Sequence, residues 1–421
     1  MKNWKNFFLP ANKRLFIFFS LIALGTLFFL LFVQDEERER RVLIGPEKEK
    51  SAVTEVANTI PCPDLEQLIA QLNNQRPSWN ELNCYLQKLK RFPISSRNQR
   101  IIIGARTFGQ RPDIPQLYFN LSAQVYRQFS VNVSSLLFPF APPYIDSQGD
   151  NLSYPLDAQA LDEKLRAFSV MAIKEKQRGK LLIFVNDYPP QNGIPAAKNS
   201  AEFRAWVLQK QVPEKKKEAQ IAEKLKAEFF VPFPLEIERI FSPSYQPYLN
   251  RNLPSQDLLA LAQWYIDTIA NAVRPLFKGR LVLPRYPFQS LPSLEKSPEM
   301  DWHDLKMKGF DQVNFSLIPE CDEKTTLKFA QQQFSYYAQL AREQQIPWGL
   351  GELDLWRKHY EKCGVNFEEK EALLWTKLLD LLRQQNPPPV YLALGLDEDV
   401  DPTKTNPPTL KVIQDWLLNP D

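Results

Sequence analysis

The sequence predicts an α/β fold of the (β/α)8 barrel class over residues 100–421. Eight short apolar segments alternate there with helical segments, which is the pattern of a repeated strand–helix unit. Helix-stop glycines stand directly before three predicted strands, at Gly179, Gly279 and Gly309. An open doubly wound sheet is the alternative. The closed barrel is favoured because no G-x-G-x-x-G phosphate loop follows any strand and the chain has only 13 glycines.

The predicted strands are continuous apolar runs, as expected for parallel strands that are buried on both faces. They cover residues 101–106, 131–138, 181–185, 229–236, 281–283, 312–317, 348–352 and 390–394. Helices are predicted where apolar residues recur with a spacing near 3.6. The clearest of these are residues 161–177, 201–226, 258–277, 327–344 and 370–384.

A different kind of segment precedes the barrel. Residues 15–33 are apolar and uncharged, and their 19 residues are close to the ~20 that span a bilayer. A cleaved signal peptide is the alternative, but no small-x-small cleavage site follows. Four basic residues precede the span and three follow it, so residues 1–14 are expected in the cytoplasm and the barrel outside it. Residues 34–59 are a charged stalk, and residues 60–99 form a lead-in with two short helices.

Four cysteines lie in the part of the chain expected outside the cytoplasm, where disulfides persist. Cys62 and Cys84 belong to the lead-in, and Cys321 and Cys363 follow predicted strands six and seven. These are the expected pairs, although free buried thiols are the alternative. No metal site or cofactor is predicted, because no C-x-x-C occurs and the two histidines are far apart in sequence.

The charge distribution argues against nucleic acid as a partner. The net charge is only +3, and basic residues are interleaved with glutamates along the helices. The run 215–217 is interpreted as a solvated helix face. Many of the 35 prolines lie in loops after strands, where they would hold a rim of aromatic residues that includes Trp356. Such a rim suits stacking on sugar rings.

Two glutamates end predicted strands four and seven, Glu236 and Glu352. In a barrel, the chemistry lies at this end of the strands. Retaining hydrolysis of a glycosidic bond needs two carboxyl groups about 5–5.5 Å apart. Residues 227–236, 347–352 and 309–316 resemble the corresponding segments of the clan A (β/α)8 retaining glycoside hydrolases. The resemblance implies that Glu236 is the acid/base and Glu352 the nucleophile.

Other residues at or after strand ends are candidate substrate contacts. They are Arg106, Asp187, Arg285, Tyr286, Asn314 and Trp356. Alternatives stay open at both glutamates, since Glu352 could instead be a salt-bridge partner and Glu238 is a rival for the acid. Two positions depart from the family pattern: Leu235 stands where asparagine is usual, and residues 395–397 lack the tryptophan that often ends strand eight.

The resemblance implies an enzyme that hydrolyses a polysaccharide or other glycan, and the span at residues 15–33 predicts that it is membrane-anchored and extracytoplasmic. A catalytically inactive barrel that binds glycan or scaffolds envelope proteins is the alternative. A barrel aldolase or lyase would need a Schiff-base lysine or metal ligands at strand ends. None of the eight predicted strands offers such a lysine.

Overall fold

The computed structural model describes only part of the chain. The described residues are 62–71, 77–93, 101–103, 106–107, 135–137, 158–179, 181–185, 199–233, 237–241, 255–285, 302–317, 323–353, 367–394, 411–412 and 415. The chain divides into two compact units, Met1–Ile60 and Pro61–Asp421. None of the described helices is long and apolar enough to cross a membrane. The span predicted at residues 15–33 lies outside the described residues.

The described elements alternate as the sequence predicts. The α-helices are α1 (Leu65–Gln71), α2 (Trp79–Leu86), α3 (Ala158–Gln177), α4 (Ser200–Trp206), α5 (Val212–Lys224), α6 (Ile237–Phe241), α7 (Ser255–Val273), α8 (Glu323–Glu343) and α9 (Phe367–Arg383). A π-helical segment, Val207–Gln211, joins α4 to α5. The strands are β1 (Ile101–Ile103), β2 (Arg106–Thr107), β3 (Ser135–Leu137), β4 (Leu182–Val185), β5 (Phe229–Val231), β6 (Arg280–Arg285), β7 (Gln312–Leu317), β8 (Trp348–Leu353) and β9 (Tyr391–Leu394).

All nine strands belong to one parallel sheet, in the order β1-β9-β8-β7-β6-β5-β4-β3-β2. Strands β1 and β2 both come from the first predicted strand, so β3 to β9 correspond to predicted strands two to eight. At one edge β1 pairs with β9, and at the other edge β2 pairs with β3. The two edges of the sheet are therefore neighbours in sequence. The fold is α/β, with a curled parallel sheet.

Successive residues of each strand alternate between the two faces of the sheet. Phe315 of β7 faces the helices, because its ring stacks on Tyr337 of α8 with a centroid distance of 4.0 Å. Phe230 of β5 faces the same side and contacts Phe277 at 5.6 Å. The residues between them occupy the opposite face, called here the inner face. Its buried members on the central strands are Ile183, Phe229, Val231, Val282, Gln312, Asn314 and Ser316.

The lead-in packs along α3 and reaches the start of β5. Helices α1 and α2 contact α3, and Cys62 and Cys84 form the predicted disulfide, with Cα atoms 5.7 Å apart. Further along the chain, the backbone N–H of Phe92 donates to Glu228 at 2.7 Å, directly before β5. The second predicted pair, Cys321 and Cys363, lies outside the described residues.

A buried ion pair completes this attachment. Lys176 of α3 donates to the Glu228 carboxylate at 2.5 Å, and the backbone N–H of Leu182 donates to it at 2.6 Å. Burial lowers the pKa of Lys176. Glu228 thus ties the lead-in, α3 and the start of β4 together, on the side opposite to the strand ends that carry the candidate site.

The interpretation of residues 215–217 as a solvated face is wrong for Lys215. Its side chain is only 1% exposed and pairs with Glu218 at 3.0 Å. Positions 215, 219 and 222 recur at helical spacing and are all buried, so they form the inner side of α5, which packs against α7. The helical periodicity was not recognised, because three consecutive lysines suggest a solvated face.

The cluster around Glu218 predicts a pH-dependent stability. Burial raises the pKa of Glu218 from 4.5 to about 8, with Lys215, Glu214 and Tyr265 as its charged or titratable neighbours. The folded state therefore keeps a proton that the unfolded state releases above pH 4.5. The free energy of unfolding should fall as the pH rises from about 4.5 to 8. Urea unfolding at several pH values measures this, and Glu218→Gln should flatten the slope. A slope that is unchanged in Glu218→Gln contradicts the assignment.

Candidate active site

An irregularity in β8 determines the register position of Glu352. Phe315 of β7 is opposite Leu350, but the next residue, Ser316, is opposite Glu352. Gly351 is therefore an extra residue, as in a β-bulge. Without it, Glu352 would be opposite Leu317, which lies in the helix-facing core. The bulge instead places Glu352 at an inner-face register position, at the C-terminal end of its strand.

Position 351 lies close to the neighbouring strand β7. A Cβ atom added there would lie 3.2 Å from the Cβ of Asn314, so Asn314 would have to shift by a few tenths of an ångström. Asn314 is 6% exposed and Ser316 is 4% exposed, so both inner-face residues of β7 near this position are buried. Glycine fits this position without any such shift.

Glu236 lies between β5 and α6 in the sequence. The sequence predicts a strand up to residue 236, whereas β5 ends at Val231. Pro232 explains the end of β5, because proline has no N–H to donate to the next strand. Helix α6 begins at Ile237. Glu236 itself lies outside the described residues, and for Glu352 only the backbone is described.

Glu238, the rival for the acid role, has a structural partner. Its carboxylate pairs with the guanidinium of Arg285 at the end of β6, and both side chains are 0% exposed. A carboxylate beside a fully buried guanidinium is needed to stabilise the folded state, whatever its part in catalysis. This geometry favours a structural role for both residues, and it accounts for Arg285 without a substrate contact.

Removing the charge of Glu238 should therefore destabilise the protein. We expect Glu238→Gln to lower the free energy of unfolding by about 3–5 kcal/mol, because it removes the carboxylate of a fully buried ion pair. Urea unfolding of the purified protein measures the loss. Asp380→Asn is the control, since the exposed pair of Asp380 with Arg383 at 3.4 Å should contribute less than about 1 kcal/mol. Equal, small losses in both variants would contradict a structural role for the buried pair.

Each fully buried carboxylate in the described part of the chain has a basic partner. The pairs are Glu175–Arg178, Glu218–Lys215, Glu228–Lys176 and Glu238–Arg285. Burial raises the pKa of Glu218 to about 8, and the basic partners of the other three compensate buried charges. Among the same residues, no group of three or more His, Cys, Asp or Glu side chains could hold a metal ion.

The remaining predicted site residues are placed as follows. Arg106 lies in β2, where only the backbone is described, and Asn314 lies on the inner face of β7. Asp187, Tyr286 and Trp356 lie outside the described residues, so their roles stay predictions.

Sequence reasoning missed two polar residues beside the candidate site. Gln312 donates from Nε2 to Oδ1 of Asn314 at 2.7 Å, and Ser316 is opposite Glu352. The signal was present, because positions 312, 314 and 316 are polar at the period of two that marks one face of a strand. An inner face with three consecutive polar positions is unusual for a barrel core, which branched apolar residues dominate.

No family model matches the sequence, and no curated protein matches it. Solved structures with a similar fold include the GH113 β-mannanase AaManA from Alicyclobacillus acidocaldarius, with a TM-score of 0.46, 10% identity, and 77% of this chain and 98% of that chain covered. A modular endo-β-1,4-mannanase from Cellulomonas fimi has a TM-score of 0.48 and 11% identity, with 85% of this chain and 74% of that chain covered. A β-glucosidase from Pyrococcus furiosus has a TM-score of 0.45 and 12% identity, with 74% of this chain and 85% of that chain covered.

These structures are glycoside hydrolases. They belong to the class that the sequence resembles. At TM-scores below 0.5 the similarity does not indicate a function. The function is therefore inferred from the positions of this chain's own residues.

Proposed function

We propose that this chain is a retaining glycoside hydrolase of the (β/α)8 barrel class, anchored in a membrane by residues 15–33 and acting on an extracytoplasmic polysaccharide. The pairing of β1 with β9 and of β2 with β3 supports barrel closure, because β1 and β2 are separated by two residues only. If β1 and β2 are counted as one strand, this strand pairs with β9 on one side and with β3 on the other. The sheet is then a closed ring of eight strands.

The observation that carries the proposal is the register position of Glu352. A glutamate at an inner-face position next to buried Asn314 and Ser316 is unfavourable unless it is paired or used. The bulge that places it there includes Gly351, where an added Cβ atom would lie only 3.2 Å from the Cβ of Asn314. Such an arrangement is expected where a strand end must present a carboxylate to the mouth of the barrel.

Glu352 would act as the nucleophile. Its carboxylate attacks the anomeric carbon and forms a glycosyl ester, while Glu236 gives its proton to the oxygen of the departing sugar. Glu236 then takes a proton from water, and the resulting hydroxide attacks the anomeric carbon and releases Glu352. The sugar leaves with its original configuration, and both carboxyl groups return to their starting states.

The location outside the cytoplasm is proposed from the predicted span and its flanking charges. The disulfide between Cys62 and Cys84 supports it, because disulfides persist in oxidising compartments. Protease added to intact cells should digest the barrel. Digestion only after permeabilisation would contradict this orientation.

Hydrolysis is tested with the full chain in detergent, against a panel of polysaccharides and aryl glycosides. We expect new reducing ends with at least one polysaccharide, and no product with Glu352→Gln. NMR of the first product should show the anomeric configuration of the substrate. Inverted product would exclude the retaining mechanism.

A catalytically inactive glycan-binding barrel is the second candidate, and Leu235 favours it. Leucine cannot make the polar contact to the sugar that the family's asparagine makes at this position. An inactive barrel should bind at least one glycan of the panel without releasing reducing ends, and Glu352→Gln should leave that binding unchanged.

A further inference from the structure

The segments that lead into β6, β7 and β8 meet at one end of the sheet. The backbone N–H of Asp311, directly before β7, donates to the carbonyl of Leu281 in β6 at 2.9 Å. The N–H of Val313 in β7 donates to the carbonyl of Pro347, directly before β8, also at 2.9 Å. Because the strands are parallel, this end is opposite to the strand ends that would carry the candidate site.

Residues 305–309 connect these segments to one another. Arg274, directly after α7, donates to the carbonyl of Gly309 at 3.0 Å. Gln344, directly after α8, accepts from the N–H of Met307 at 2.8 Å. The segments before β6, β7 and β8 therefore form one contiguous surface.

That surface, called here the basic face, has exposed cationic side chains on all three segments, namely Lys278, Lys306, Lys308 and Arg342. Two of these side chains are held at the surface by the packing of their neighbours. Leu305 and Met307 are 0% and 3% exposed, whereas the alternate residues Lys306 and Lys308 are exposed. Gln263 also fixes the backbone of Lys306, because it accepts from the N–H at 2.7 Å and donates to the carbonyl at 3.1 Å.

The charge of the basic face is not balanced by its carboxylates. Asp311 pairs with Arg274 at 2.5 Å. Glu343 pairs with His303 at 2.7 Å, and Asp304 is exposed. The four cations form no salt bridge with any described residue, so the face has an excess of positive charge. They come from separate segments, which is why the sequence shows no basic run.

We propose that the basic face binds the anionic headgroups of the phospholipid bilayer that anchors the chain. The inference goes beyond hydrolysis and rests on the proposed function only for the membrane span. Lysine and arginine near an anionic bilayer are attracted to it, and the attraction decays within a Debye length of about 8 Å at physiological ionic strength. A span at residues 15–33, joined to the folded chain by the stalk at residues 34–59, would hold the headgroups at an effective concentration on the order of millimolar. Binding through the basic face would leave the strand ends accessible to a polysaccharide.

The test is the reactivity of the lysines of the basic face toward an uncharged acetylating reagent. The full chain is placed in nanodiscs of phosphatidylcholine alone, or of equal parts phosphatidylcholine and phosphatidylglycerol, and peptide mass spectrometry gives the acetylation rate of each lysine. The rates at Lys278, Lys306 and Lys308 should be at least about threefold lower with phosphatidylglycerol, and about 0.5 M salt should restore them. Equal rates in the two lipids overturn the proposal.

Lys324 and Lys328 are the matched controls, because both are exposed near the start of α8, about 20–30 Å from its end. Their acetylation rates should be the same in both lipids. Lys306→Gln/Lys308→Gln should remove most of the protection of Lys278 by phosphatidylglycerol, whereas Lys324→Gln/Lys328→Gln should preserve it. Full protection of Lys278 in the first double variant contradicts the basic face as its cause.

Further outcomes distinguish this inference from the proposed function. Hydrolysis of a soluble aryl glycoside needs no bilayer, so an active chain with unprotected lysines supports hydrolysis and overturns lipid binding. Protected lysines on an inactive chain support lipid binding and contradict hydrolysis. A chain that does not stay in phosphatidylcholine nanodiscs contradicts the span, and the basic face is then tested by flotation of the full chain with vesicles. Flotation with phosphatidylglycerol vesicles alone supports lipid binding, and flotation with neither lipid, or equally with both, overturns it.

Discussion

Glu352→Gln should reduce turnover at least about a thousandfold, because the amide cannot form the glycosyl ester that divides the reaction into two steps. The side chains are nearly equal in size, so the thermal unfolding midpoint should change by only a few degrees. Initial rates on the best substrate of the panel measure the effect.

A control for Glu352→Gln is provided by Glu343 at the end of α8, an exposed glutamate of the same chain. Glu343→Gln should keep the wild-type rate. If Glu352→Gln retains more than a tenth of the wild-type rate while Glu343→Gln is normal, Glu352 is not the nucleophile.

Glu236→Ala should give a loss that depends on the leaving group. On polysaccharide the rate should fall by about 10²–10⁴-fold, since a sugar alkoxide leaves poorly without a proton. On an aryl glycoside whose phenol is already a good leaving group, formation of the glycosyl ester should be nearly as fast as in wild type. A small anion such as azide should then restore release of the sugar.

The same kinetic comparison distinguishes Glu236 from Glu238. Glu238→Gln, assayed at a temperature at which it is folded, should keep the wild-type ratio of rates on the two substrate types, because its effect comes through stability. A loss that is confined to poor leaving groups in Glu238→Gln, and absent in Glu236→Ala, would show that the acid is two residues further along the chain.

The strands could be predicted because buried parallel strands are short apolar runs with helices between them. Seven of the eight predicted runs correspond to the described strands β3 to β9, and the first corresponds to β1 and β2 together. The disulfide between Cys62 and Cys84 could be predicted because both cysteines lie in one short helical pair.

Features that depend on pairing between distant residues could not be predicted. Arg285 and Glu238 are 47 residues apart, so neither local pattern nor spacing reveals their ion pair. A bulge is defined by the pairing of two strands. The sequence of β8 alone therefore does not indicate the bulge at Gly351. Lys215 was misread because a run of lysines suggests solvent, whereas its helical period with Ala219 and Ala222 indicates burial.

The apolar run before Glu352 predicts a strand there. Strand β8 confirms it and extends one residue further, to Leu353, while the role of Glu352 stays a prediction. The surroundings of Glu352 were not predicted, because the inner-face neighbours Gln312 and Ser316 belong to another strand. That their amide and hydroxyl groups lie near Glu352 follows only from the pairing of β7 with β8.

The central claim is that Glu352 forms a covalent bond to the sugar, and one measurement tests it directly. The full chain is incubated with a panel of 2-deoxy-2-fluoroglycosides that carry good leaving groups, because the fluorine slows breakdown of the glycosyl ester. Peptide mass spectrometry should then find one fluoroglycosyl group, attached to Glu352 and missing from Glu352→Gln. A label on another residue, or no label on a folded chain that hydrolyses the parent glycoside, would contradict the claim.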